Sequence, residues 1–412
     1  MSSAELAAAL LLAVQAQHFE LTPDRLLRDA PVEAFPSIDL AVVVFPERGA
    51  PVGANVLFSR DHPRGRVAEL APGFGAVTNV HFLADQRDAK NDSIAWLPGS
   101  NWDAMTWKTL SGQRHLPRFV APYPASLIKL MVLVGVAREI DAGRATWEGA
   151  WTHAGETRPV VAWADAMIVV SSNEATTALV ALLHHHGAIV RDDTGERHNA
   201  LDATFARYGL GTLRLNNTRS NGGWMNRDGA GVGDLQMTAW DTARLLWLLD
   251  ADAPPAPWVE RGLPPLLSAA SRAQVRRLLE SQALHEVLSS TALAGTPDWQ
   301  AGIPAQVPAR WITPDGRVDT GGKVYPGDIR PTNATAQVRF AHKTGTTENF
   351  LSDAGIVVGL PPARRHYVIA LTSNLGTRYA PGPLSATTWR IPQLGAAVDR
   401  YLQQQLDAGT AP

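Results

Sequence analysis

The feature that most restricts this chain is a likeness between its two ends. β-Branched apolar runs lie near both termini, and helix-periodic segments fill the stretch between them. Near the start, residues 38–45 (IDLAVVVF) and 54–59 (ANVLFS) flank a turn containing Gly and Pro, a hairpin signature. Near the end, residues 337–343 (QVRFAHK), 354–358 (AGIVV) and 367–372 (YVIALT) form a second set, closed by a helix over about 391–406. Apolar strands need partners, so the two sets are expected to pair in one antiparallel sheet packed with helices, an α/β architecture with an all-helical part between the strand sets. The helices expected there cover 126–140, 160–170, 174–185, 238–250 and 271–282. The organisation expected is a single domain over 1–412. Residues 1–120 would carry an N-terminal helix, strands and an insertion, 121–285 a helical subdomain, and 286–412 a further insertion, the last strands and a helix. One further strand is expected within 76–82.

A chain of 412 residues with 45% hydrophobic content can bury a sizeable core. Its formal net charge of -2 leaves no basic surplus to neutralise phosphates, which argues against nucleic acid as a partner and for a small molecule or a peptide. Cysteine is absent, so disulfides, thiolate nucleophiles and Cys-based metal sites drop out. No stretch is long and apolar enough to span a bilayer. The run from Leu6 to Val14 has the length of a signal peptide, and Val14-Gln15-Ala16 resembles a cleavage site. However, Glu5 stands in the usual positive region and no Lys or Arg precedes Arg25, so an amphipathic helix to about Phe19 is expected. The two readings put the chain in the bacterial cytoplasm or, if exported, in the periplasm or outside the cell.

Three short constellations carry chemistry. In Pro124-Ala125-Ser126-Leu127-Ile128-Lys129, Ser126 and Lys129 are three apart at the start of an apolar helix and so share a face. A serine hydroxyl becomes a useful nucleophile when a neighbour takes its proton, and a lysine does so only if burial or a second cation pulls it far below its usual value near 10.4. The plainer alternative makes Ser126 a helix cap and Lys129 a snorkelling surface residue. In Ser171-Ser172-Asn173, the turn between two helices can aim Ser171 and Asn173 at one point, the first to pass a proton and the second to hold a substrate amide; helix capping is the alternative. In His342-Lys343-Thr344-Gly345-Thr346, Lys343 offers a positive charge for a carboxylate, Thr344 a hydroxyl, and Gly345 room for another backbone; the alternative is a strand end with a solvated lysine.

In this order, Ser-x-x-Lys, Ser-x-Asn and Lys-Thr-Gly make the chain resemble the serine β-lactamase and penicillin-binding protein superfamily, either the class A β-lactamases or the low-molecular-mass DD-peptidases. The resemblance runs from about Val120 to the C-terminal helix, and the hairpin at 38–59 fits the family's opening strands. Residues 60–120 and 311–337 look like insertions near the active-site edge, and the first carries Trp96, Trp102 and Trp107. By this resemblance Ser126 is the acylated nucleophile and Lys129 the proton acceptor. Ser171 relays a proton to the leaving amine, and Asn173 binds the acyl-side amide. Lys343 and Thr344 bind a carboxylate, while the backbone N–H groups of Ser126 and Thr346 form an oxyanion hole beside Gly345. The scheme calls for no cofactor and no metal. The implied substrate is an amide or β-lactam bearing a nearby carboxylate. Four readings stay open: a β-lactamase-like hydrolase, a D-alanyl-D-alanine carboxypeptidase, a specialised amidase, esterase or acyltransferase, and a penicillin-binding sensor that acylates and stalls.

The loop after the second motif departs from the class A pattern. No glutamate lies between Glu196 and Glu260, and the segment 215–228 (LNNTRSNGGWMNRD) looks more like that of the DD-peptidases. Asp228 and Asp234 are the carboxylates available to activate water. Two other features invite attention. His184-His185-His186 at a helix end suggests a cationic or capping role, and His342 is placed either to tune Lys343 or to pack. The tryptophans of the first insertion either cover a sheet edge or line a cleft.

Overall fold

The apolar runs at the two ends meet in one sheet. The computed structural model describes residues 1–88, 93–110, 114–380 and 386–408; positions 89–92 and 111–113 of the first insertion lie outside the described residues. The chain opens with α1 (Ser3–Gln15), started by a capping box in which the Glu5 N–H donates to Ser2 Oγ and the Ser2 N–H to Glu5 Oε2. It ends before Phe19, contrary to the sequence reading. His18 takes a left-handed φ of 50° and turns the chain into a 3₁₀ turn that buries Phe19.

Strands β1 (Ile38–Val44) and β2 (Val52–Ser59) form the expected hairpin, and β3 (His62–Val67) extends it. The sequence of β3, HPRGRV, has no apolar alternation because it is an edge strand, and so it escaped the sequence reading. The insertion then builds β4 (His81–Ala84), β5 (Lys108–Thr109) and β6 (Arg118–Ala121), a small sheet of order β5-β4-β6. The strand expected at 76–82 starts late. Asn79 uses its amide to accept from the Glu69 N–H and donate to Val67 O, which holds the chain in a turn ahead of His81.

The helical part contains α2 (Lys129–Asp141), α3 (Val160–Val169), α4 (Asn173–His185), α5 (Ala200–Arg207), α6 (Ala239–Leu249) and α7 (Ala269–Glu280). Strands β7 (Val338–Thr346), β8 (Leu351–Gly359) and β9 (His366–Ser373) and helix α8 (Ile391–Ala408) complete the chain. The main sheet is antiparallel with order β7-β8-β9-β1-β2-β3, and Leu371 of β9 stands opposite Leu40 of β1. The central strands read as unbroken apolar runs because both faces are covered. Leu40, Val42 and Val44 pack with Leu6, Leu10, Leu394 and Val398 of α1 and α8, whereas Ala41 and Val43 pack with the helical part.

The insertion's tryptophans pack rather than line the cleft. Trp96 and Trp102 are buried with Leu83, Val120, Ala125 and Phe350 in a small separate core directly beneath the residue preceding Ser126. The same region is anchored by a buried ion pair. Arg378 donates through Nε to Asp24 Oδ1 at 2.7 Å and through Nη1 to Trp96 O at 3.0 Å, and both charged side chains are 3% exposed. Removing one partner of such a pair strands a buried charge. Asp24→Ala is therefore expected to lower unfolding free energy by about 3–5 kcal/mol, measured by urea titration against wild type. A loss below ~1 kcal/mol would show that the pair behaves as a solvated one.

Candidate active site

Three backbone features bring the motifs together. The segment Ala125–Ile128 is a 3₁₀ turn and α2 begins only at Lys129, so the helix expected from 126 starts in tighter form. In a 3₁₀ turn residues i and i+3 eclipse, which sets Ser126 and Lys129 on one side. Ala125 and Ser171 both hold left-handed φ, 52° and 61°, although neither is glycine. Such conformers cost about 1–3 kcal/mol each and persist only where the surroundings impose them. At Gly345 a Cβ would fall 2.6 Å from Pro124 O and 2.8 Å from Leu127 N, so strand β7 lies directly against the Ser126 turn. The Ser352 hydroxyl on β8 donates to Pro124 O at 2.6 Å and fixes that contact.

The plainer roles do not fall to Ser126, Lys129, Ser171 or Lys343. The turn at Ser126 has no side-chain cap, and Lys129 and Lys343 are fully buried rather than solvated. Capping of α4 falls to Ser172, whose Oγ accepts from the Ala175 N–H at 3.1 Å, leaving Ser171 and Asn173 for other work. Lys129 Nζ lies 2.6 Å from Ser171 O, 2.8 Å from Asn173 Oδ1 and 3.0 Å from Ser171 Oγ. Lys343 Nζ lies 3.0 Å from the same Ser171 Oγ and 2.8 Å from Thr344 O.

The protonation pattern follows from these contacts. Burial, reinforced by Lys343, pushes Lys129 far below its ordinary value. Burial also brings Lys343 down to about 7, opposed by the carboxyl groups of Asp353 and Glu286. Lys129 Nζ donates to Ser171 O, Asn173 Oδ1 and Ser171 Oγ. The Ser171 oxygen in turn accepts from Lys343. Two buried amines and the hydroxyl that bridges them thus lie in one hydrogen-bonded chain.

Above this network opens a cleft of about 510 Å³ whose wall includes Ser126, Asn173, Tyr123, Trp224, Thr346 and Phe350. Thr346 is exposed there, whereas Lys129, Ser171, Lys343, Thr344 and Gly345 are outside that wall. The two carboxylates considered for water activation do not reach it. Asp234 is bound by Arg87 and by Lys108 at 2.9 Å, and Asp228 stands 3.5 Å from Arg227 near the surface. The Trp224 ring centre instead lies 5.7 Å from Lys129 Nζ. Sequence reasoning missed Trp224, and its signal was the glycine pair before it. Gly222 has φ 89°, and a Cβ there would fall 2.1 Å from Thr177 O, so the loop can sit against α4 only with glycine. His184 corrects a second expectation: burial holds it down to about 4, so it is neutral, and its Nε2 pairs with Thr218 Oγ1 at 2.9 Å.

The chain is similar to several solved structures. A chain of the penicillin-binding protein PBP-A, solved as a mutant in its acyl-enzyme complex with penicillin G, is 15% identical with a TM-score of 0.48, covering 97% of each chain. A β-lactamase from Sphaerobacter thermophilus is 14% identical with a TM-score of 0.45, covering 99% of this chain and 98% of that one. An ancestral class A β-lactamase is 18% identical with a TM-score of 0.40, covering 68% of this chain and 85% of that one. No curated protein sequence matches. The sequence profile described as the β-lactamase enzyme family matches residues 120–391, a span that takes in all three motifs and well over half of the chain. The chain therefore belongs to the β-lactamase enzyme family.

Proposed function

We propose that this chain is a serine hydrolase that opens an amide or β-lactam bearing a neighbouring carboxylate, by way of an ester on Ser126. The observation that carries the reading is the Ser171 hydroxyl, 3.0 Å from each of two buried lysines. Neutral Lys129 takes the Ser126 proton as the Ser126 oxygen bonds to the carbonyl carbon. The carbonyl oxygen becomes an oxyanion facing the backbone N–H groups of Ser126 and Thr346, where one lost donor typically costs about 3–4 kcal/mol. As the C–N bond breaks, Ser171 passes a proton to the departing nitrogen and is resupplied from the protonated Lys129. Asn173 orients the acyl-side amide, and Lys343 with Thr344 receives the substrate carboxylate. Water then cleaves the ester and releases the acid.

A second reading rests on Trp224. Among the described residues an aromatic ring rather than a carboxylate approaches Lys129 from the loop side, and the carboxylate in the cleft wall, Glu348, belongs to the turn between β7 and β8 instead. This favours a penicillin-binding D-alanyl-D-alanine carboxypeptidase, whose β-lactam ester persists, over a fast β-lactamase.

Intact-protein mass spectrometry separates these outcomes. Wild type mixed with a penicillin should gain one ring-opened adduct that decays slowly, while Ser126→Ala should gain none. Lys129→Ala should slow acylation by about 10²–10⁴-fold. An adduct on Ser126→Ala would remove the central claim, and one that vanishes within seconds with hydrolysed product would favour the β-lactamase.

Because Lys343 sits at about 7, it is charged below that pH and loses its proton above it. The second-order acylation rate for a carboxylate-bearing β-lactam should therefore fall as pH rises through about 7, while a carboxylate-free ester should show no such fall. Parallel profiles for the two reagents would argue against carboxylate binding at Lys343.

A further inference from the structure

The stretch after β9 touches the supports of both donors in the proposed oxyanion hole. On one side it docks on turn 347–350, which follows Thr346. There the Thr377 N–H donates to Thr347 O at 3.0 Å and the Arg378 N–H to Glu348 O at 3.0 Å. So close an approach needs glycine at 376, where a Cβ would collide with Thr347 O and fall 2.5 Å from Glu348 O. On the other side, the Arg378 guanidinium reaches into the first insertion and donates through Nη1 to Trp96 O at 3.0 Å. The Trp96 ring lies in the small core beneath Ala125, and Phe350, the last residue of the turn, enters the same core. Arg378 is thereby bonded both to the turn behind Thr346 and to the packing under Ser126. Its own direction is fixed by Asp24, which takes Nε at 2.7 Å and Nη2 as a two-pronged pair while one of its oxygens also accepts the Leu26 N–H at 2.9 Å. A forked pair of this kind sets orientation as well as charge, which the point charge of a lysine does not.

We propose that Arg378, oriented by Asp24, is a positioning residue that sets the spacing between the two oxyanion donors. Its main-chain N–H holds the turn behind Thr346, and its guanidinium holds the core under the Ser126 turn. This rests on the reading of the Ser126 and Thr346 N–H groups as an oxyanion hole. Those groups belong to separate elements, a 3₁₀ turn and a strand end, so their spacing is a property of how the two elements are tied. Donors stabilise an oxyanion only when both stand about 3 Å from it, and a misplacement of about 1 Å can cost about 10²-fold. Neither Arg378 nor Asp24 lines the cleft, so the pair acts through the donors and not on the substrate. The first insertion gains a function by the same route, since its Trp96 carbonyl is the anchor that Arg378 grips.

The test uses the full chain and two reagents, an aryl ester of N-phenylacetylglycine and its thionoester, in which sulfur replaces the carbonyl oxygen. Both pass their acyl group to Ser126, but sulfur is a larger and weaker hydrogen-bond acceptor and gains little from donors placed for oxygen. The ratio of the two acylation rates therefore reports donor placement, and it does not depend on how much of the protein is folded. Wild type should favour the oxygen ester by about 10²-fold. Arg378→Lys keeps a cation beside Asp24 and the main-chain N–H but loses the fork. It should slow the oxygen ester by about tenfold and the thionoester hardly at all, so that the ratio narrows. An unchanged ratio overturns the proposal whatever the separate rates do, because a merely structural role lowers both alike. Should Arg378→Lys not fold, Gly376→Ala decides, since its methyl presses on the same two turn carbonyls: a narrowed ratio supports the proposal and an unchanged one overturns it. Wild type that is acylated without preferring oxygen overturns the oxyanion hole and this proposal with it, while the ester on Ser126 stands. Wild type that gains no adduct from either reagent overturns the acyl-enzyme reading as well.

Discussion

Two amines share one hydroxyl, and much of the site follows from that arrangement. Both nitrogens lie 3.0 Å from Ser171 Oγ, so they stand at most about 6 Å apart. Two full charges at that distance repel by about 3 kcal/mol at an effective dielectric near 20, the equivalent of about two pH units. Complete burial adds to this cost. The cheaper state charges one lysine only, and burial together with the neighbouring Lys343 lowers Lys129 well below its ordinary value. The asymmetry that acid–base chemistry requires is thus a result of packing two identical side chains in different surroundings.

Holding the arrangement consumes conformational energy at several points. Ala125 and Ser171 sit in left-handed backbone, which a non-glycine residue adopts only under constraint. The constraint is visible: Gly345 lets β7 press on the Ser126 turn, Ser352 ties that turn to β8, and the tryptophan core lies beneath Ala125. Each support comes from a different part of the chain, so the site forms only when sheet, helices and insertion are assembled. The two insertions both brace other segments, for the first packs beneath the Ser126 turn and the second clamps the Glu286 carboxylate through Tyr325 and Lys323.

The sheet was readable because its strands are apolar on both faces, and local periodicity reports burial directly. The edge strand β3 was not, since an exposed edge carries Arg and Pro in place of an apolar pattern. The first helix was placed, but its end was not, because His18 in left-handed backbone has no marker in the sequence. The strand at 81–84 was set too early because Asn79 holds its neighbours through side-chain bonds that periodicity does not register. The tryptophans were assigned to an edge or a cleft because composition says nothing of which core a ring enters.

By itself the sequence determined the chemical kit: a hydroxyl and an amine three apart, a serine and an asparagine in a turn, a lysine before a glycine in a strand, and a loop without glutamate. These are local facts, fixed by side-chain type and spacing along one element. Which hydroxyl the two lysines share, which ring stands beside Lys129 and which serine caps α4 were decided only by the tertiary structure. Lys129 meets Ser171 across 42 positions and Lys343 meets it across 172. Charge state depends on what surrounds a group within a few ångströms, and those neighbours are brought there by folding.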